Sequence, residues 1–220
     1  MVLLAFPALA QKPGARPVPK YDVLFVVDIS LSMSREKEAV AQTVFNLIRT
    51  SLADKMATGD RLGVWTFNER VYTTRFPPET WTPERGEIIA DRIARYLRSL
   101  RYERQSQPGK AIAEILKTAR TSKSLTVFLL SNGDAPVVGT PFDRSLNVLY
   151  REYRTDLQRV GKPFVTRFTI DNGQFVTWDV SADLGQSKEA ENTSPSKSIA
   201  VLPTNSPRRR ARLLPSFLNR

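Results

Sequence analysis

Three oxygen-bearing side chains, Asp28, Ser30 and Ser32, sit at alternate positions directly after an apolar run, residues 23–27. Alternate residues of an extended chain face one side, so one carboxylate and two hydroxyls converge there. A second strand-like segment, residues 124–131, repeats the design and runs into Asn132, Gly133 and Asp134. In open α/β sheets, ligands bind beyond the carboxyl ends of strands, where neighbouring strands send their helices to opposite faces. Asp28 and Asn132 both stand at such strand ends. One carboxylate with hydroxyls is a poor set for zinc, which favours nitrogen and sulfur. It suits a hard divalent ion that keeps waters, Mg²⁺ or Mn²⁺.

The elements that must hold these groups are legible from periodicity. Residues 23–27 are apolar on both strand faces, which predicts a central parallel strand covered by helices on each side. Ser34 is expected to cap a helix striped by Val40, Val44, Leu47, Ile48 and Leu52. Residues 61–67 and 70–76 read as a hairpin turning at Asn68 and Glu69, with Asp60 serving the turn before it. Thr82 followed by Pro83 opens a helix that buries Ile89, Ile93, Tyr96, Leu97 and Leu100. Another starts at Pro108 with Ile112, Ile115, Leu116 and Ala119 on one side, and a long one is striped by Leu146, Leu149, Tyr150, Tyr153 and Leu157. Two final strands flank Asp171, Asn172 and Gly173, a strong hairpin signal. Strands alternating with helices predict a doubly wound, mostly parallel α/β sheet with an antiparallel edge strand.

Composition closes off most catalytic chemistry. The 220-residue chain has no Cys and no His, which removes disulfides, thiolate metal sites, Cys nucleophiles, the Ser-His-Asp triad and the HExxH zinc motif. An apolar fraction of 41% allows an ordinary core, and no apolar run is long enough to span a membrane. Around Gly109 and Lys110 a phosphate loop fails twice, with Arg104 and Ala111 at positions that need Gly and Ser or Thr. Trp65, Trp81 and Trp178 read as packing residues.

The segment "VLFVVDISLSM" resembles the first strand and metal loop of von Willebrand factor type A domains, whose Asp-x-Ser-x-Ser opens a metal-ion-dependent adhesion site. Residues 58–76, 106–116 and 125–136 resemble, in order and spacing, that family's next strands, its metal-site loop and helix, and the strand that normally ends in Thr-Asp-Gly. The likeness spans about residues 21–170 and implies a Rossmann-like fold. It implies Asp28, Ser30 and Ser32 as first-loop metal ligands, with Ser106 in the place of a Thr. Asn132 stands where the family has Asp, and an amide removes a full negative charge beside a divalent ion. Simple charge counting then leaves a bound ion with an excess of about +1. Such a site holds its ion less tightly but pulls harder on a partner's carboxylate. Asp134, two residues on, offers a route to restore the charge through water. The family's sliding C-terminal helix has no counterpart here, because a hairpin and a polar tail follow Val165.

The expected layout is a remnant of a secretory signal at residues 1–10, with Ala8-Leu9-Ala10 as a small-x-small cleavage pattern, then a Pro-rich linker at 11–20. The domain occupies 21–183, and a disordered basic tail 184–220. Net charge is +11 and gathers towards the ends, with Arg208, Arg209, Arg210 and Arg212 as its densest run. That run offers nucleic acid or anionic lipid a contact. The sequence therefore reads as a secreted or periplasmic, non-enzymatic adhesion module that captures an Asp or Glu of a partner through Mg²⁺ or Mn²⁺. The alternatives are a metal-free interaction scaffold of the same fold and a metal-dependent hydrolase.

Overall fold

Strand β1 (Val23–Asp28) is buried at every residue because it lies between two parallel neighbours and two helical layers. The computed structural model describes residues 21–52, 55–181 and 199–200. On one side β1 pairs with β2 (Arg61–Phe67), and on the other with β5 (Ser124–Ser131). Val23, Phe25 and Val27 face a core built with α1 (Lys37–Asn46) and α2 (Gly86–Ser99), where Phe25 stacks on Phe128 at 5.2 Å. Leu24 and Val26 face a second core built with α3 (Pro108–Ala119) and α4 (Asp143–Val160). Alternation along a strand thus assigns each β1 side chain to one core, and an all-apolar strand is what two cores require.

Antiparallel strands complete both margins. β3 (Val71–Tyr72) and β4 (Glu79–Thr80) pair with β2. Beyond β5 lie β6 (Phe164–Asp171) and β7 (Gln174–Ser181), turning through Asn172 and Gly173 at φ 49° and 78°. Positive φ at both central residues is what an Asn-Gly hairpin supplies. The two-residue β8 (Ile199–Ala200) runs parallel beside the end of β7. Strands β1, β2, β5, β7 and β8 share one direction.

The link from β5 to β6 positions the site. Ser131 pairs with Phe164, so β6 starts at the edge of the sheet where β5 ends. The connection, α4 included, therefore leaves and returns at one edge. Chain leaving β1 enters the α1 side and chain leaving β5 enters the α4 side, which puts the switch point between Asp28 and Asn132.

Helix starts differ from the sequence expectation in two places: a 3₁₀ turn, Pro83–Arg85, precedes α2, and the loop after β1 does not use its expected cap. Ser34 does not cap α1; its N–H closes a 3₁₀ turn, Leu31–Met33, onto Leu31, and α1 begins three residues later. A tight turn after β1 serves the backbone that the cap would have served. The second strand of the predicted 61–76 hairpin is cut to Val71–Tyr72. Asp60 accepts the Ala57 N–H at 2.8 Å, as a turn residue should. The expected signal remnant, the linker and the basic tail apart from Ile199 and Ala200 lie outside the described residues.

Gly63 in β2 lies against Tyr21 and Leu24: a Cβ there would meet a Tyr21 ring carbon at 2.5 Å and Leu24 Cδ1 at 2.9 Å. Gly63→Ala is expected to cost about 1–3 kcal/mol through overpacking, read as a lower urea midpoint at unchanged slope.

Candidate metal centre

Asp28 ends β1 with 1% of its surface exposed. Its Oδ1 accepts the Ser30 N–H at 2.8 Å, and its Oδ2 accepts the Ser106 hydroxyl at 2.5 Å across 78 residues of sequence. Ser30 keeps an extended backbone, φ −70° and ψ 165°, before the 3₁₀ turn carries Ser32. The strand therefore stops short of Ser32, yet the Ser30 and Ser32 hydroxyls meet at 3.1 Å. Ser30 is buried, Ser32 exposed and Ser106 half-buried, so the cluster grades from core to solvent.

The loop bearing Ser106 is tied to the first loop by backbone bonds. The Glu103 N–H donates to Ile29 O at 3.0 Å, and the Leu31 N–H donates to Arg104 O at 2.9 Å. Asn68, 1% exposed just after β2, binds the same loop twice: its side-chain Nδ2 donates to Glu103 O at 3.1 Å, and its backbone carbonyl accepts the Gln107 N–H at 3.2 Å. Arg104 takes φ 69°, a conformation a side chain adopts only when its surroundings impose it. The hairpin corner that the sequence predicts at Asn68 is thus also a clasp on the Ser106 loop, and its one signal in the sequence is an amide at a strand end.

Electrostatically, the cluster is short of positive charge. Burial pushes the Asp28 carboxyl up from the ordinary range, opposed by the Ser106 and Ser30 hydrogen bonds and reinforced by the negative Asp134. No Lys or Arg among the described residues forms an ion pair with it. The Tyr102 phenol is pushed up by burial and by Asp28, and its buried hydroxyl has no hydrogen-bond partner among the described residues. A buried acid without a cation, ringed by neutral oxygens, is a donor set that fits a hard divalent ion.

Asn132 is buried, and its side chain hydrogen-bonds to Asp134. Its Nδ2 donates to Asp134 Oδ2 at 2.9 Å, and its Oδ1 accepts the Asp134 N–H at 3.1 Å. Asp134 shares an open cleft of about 450 Å³ with Leu31, Ser32, Arg104, Gln105, Ser106 and Ala135. The structure thus joins Asp28, Ser30, Ser32 and Ser106 in one hydrogen-bonded set, with Asn132 at its margin through Asp134. Among the described residues, no three acids lie together as a metal cluster, and no helix is long and apolar enough to cross a membrane.

No protein-family model matches the chain, and no curated protein matches it. Among solved structures it is similar to an aerotolerance-related membrane protein from Bacteroides fragilis NCTC 9343, crystallised with multiple mutations to serines. Identity is 17%, the match covers 62% of each chain, and the TM-score is 0.38. The chain thus spans less than two thirds of that protein's length.

A carboxyl whose folded pKa is raised contributes stability below its unfolded value, and that contribution is lost as pH rises through the folded one. With divalent ions chelated at neutral pH, Asp28→Asn is therefore expected to be more stable than wild type. That advantage should shrink as pH falls and vanish below the ordinary carboxylate range, where Asp28 is protonated in the folded and the unfolded chain alike. Thermal melts at neutral and at acid pH check the sign.

Proposed function

We propose that this domain is a von Willebrand A-like binding module without catalytic activity. Mg²⁺ or Mn²⁺ sits at the carboxyl edge of the sheet and takes an Asp or Glu of a protein partner as its outer ligand. The observation that carries this reading is the 2.5 Å contact between Ser106 and a buried Asp28 that has no cationic partner among the described residues. Two loops far apart in sequence bring oxygen atoms together around a carboxylate held by hydrogen bonds and by no cation among the described residues. The motif order noted in the sequence, and the switch point between β1 and β5, support the same placement.

In this reading Asp28 anchors the ion, Ser30, Ser32 and Ser106 supply hydroxyl oxygens, and Asn132 orients the loop beside them. The cation supplies positive charge that draws in a carboxylate; the chain supplies its position and an open mouth. Ser32 and the half-buried Ser106 line the cleft, so an incoming side chain reaches the cation from solvent. General-base chemistry has little support. Both Asp28 oxygens accept hydrogen bonds, Asp134 is engaged by Asn132, and the chain has no His.

The second reading, a metal-free scaffold, is favoured by one specific observation. The Asp28 and Asn132 side chains both find hydrogen-bond partners within the protein. Calorimetric titration with Mg²⁺ separates the two readings. Wild type is expected to bind one ion in roughly the millimolar range. Asp28→Ala should give no binding heat, and Ser106→Ala should weaken binding about tenfold. Equal, featureless heats for wild type and Asp28→Ala would leave the scaffold.

A further inference from the structure

The replacement of an acid by Asn132 leaves the question of where the second negative charge of the site has gone. From the position of Asp134 in the shared cleft and its bonds to Asn132, we infer that Asp134 is the second carboxylate of the cation site, with α4 restraining it. This rests on the metal reading above.

Asn132 and Asp134 divide between them what one aspartate would do. The amide is buried and fixed. Its Nδ2–H grips Asp134 Oδ2 and its Oδ1 receives the Asp134 N–H, so the Asp134 backbone and one carboxylate oxygen are both located by Asn132. Asp134 lines the cleft together with Ser32 and Ser106, and its negative charge is felt at Asp28. Gly133 between the two takes φ 72°, and a Cβ there would meet the Phe164 ring at 2.8 Å. The turn that sets Asp134 over the cleft is thus held by packing as well as by the amide.

The other Asp134 oxygen is loosely held. Oδ1 faces Arg154 Nη1 and Gln158 Nε2 of α4, each at 3.3 Å, in a partly exposed ion pair. Contacts of that length and exposure contribute little and are readily exchanged. A divalent ion beside Ser106 offers Oδ1 a concentrated charge in place of a long guanidinium contact. The cationic residue that lines the cleft, Arg104, is already paired with Glu69 at 3.3 Å and approaches Glu103 at 4.0 Å. Arg154 is therefore the competitor, and removing it should favour the ion. With Asp28 and Asp134 both present, the charge of the ion is matched and retention no longer depends on the partner.

The test is Mn²⁺ titration of the full chain, by calorimetry and by loss of the free-ion electron paramagnetic resonance signal. Asp134→Asn is expected to weaken Mn²⁺ binding at least about tenfold, the scale of losing one charge beside a divalent ion. Its exposed side chain makes a folded variant the expectation, and a thermal melt checks it. Asn132→Asp combined with Asp134→Asn should recover affinity, and Arg154→Gln should tighten binding about two- to threefold. Unchanged binding in Asp134→Asn, or weakened binding in Arg154→Gln, overturns the assignment. If wild type is silent while Asn132→Asp binds, the cluster accepts a cation but Asp134 does not supply the charge, and the inference fails alone. Silence in both overturns the metal reading and this inference with it.

Discussion

A carboxylate placed at the end of the central strand, under two cores and without a cation, constrains everything built around it. Burying an ionised group is costly unless hydrogen bonds or opposite charge compensate, and Asp28 has only the former. The bonds come from both directions in the chain. Ser30 supplies a backbone N–H from two residues on, and Ser106 a hydroxyl from the loop ahead of α3. For that hydroxyl to arrive, the loop must be fixed, which is the work of the Ile29, Leu31 and Asn68 contacts. The left-handed backbone of Arg104 is where this loop absorbs the strain. Remove the acid and the reason for such a closely tied edge goes with it.

The core of the fold could be read from the chain because its signals are local and redundant. Residues 23–27 are apolar at every position, and the two cores they divide are where the structure puts them. Asn172-Gly173 dictates its turn through backbone sterics alone. The buried stripes of α2, α3 and α4 follow the apolar residues picked out by helical spacing. Strand direction is a different kind of information. Nothing in the periodicity of residues 164–171 says which way they run beside β5, because alternation is the same in both senses. Ser34 failed as a cap for a related reason: a 3₁₀ turn competes for the same backbone groups, and its formation depends on the loop that packs over it.

The site divides along the same line. Asp28, Ser30 and Ser32 are close in sequence and could be grouped by spacing, although the strand ends before the third of them. Ser106 could be placed only by resemblance, since 78 residues separate it from its acceptor. Asn68 and Tyr102 carry no motif, and only packing shows one clasping the Ser106 loop and the other facing the charge of Asp28. Position-by-position comparison sees an amide where an acid was expected at 132 and scores a loss. Three-dimensional bonding sees that amide holding an acid two residues away, so charge and position have come apart without leaving the loop.

The direction of β6 is what connects this loop to α4. Had the chain crossed to the opposite edge and entered β6 parallel, α4 would have run away from the site, and its last turns would lie at the far end of the sheet. Because Phe164 pairs with Ser131, the helix returns to the edge it left, and Arg154 and Gln158 reach Asp134. Arg154 sits beside Asp134 at 3.3 Å, and Gly161 at φ 65° turns the chain out of the helix and into β6. The antiparallel strand thus does more than widen the sheet. It brings Arg154 and Gln158 of α4 to the loop that carries Asp134, next to the strand end that bears Asp28.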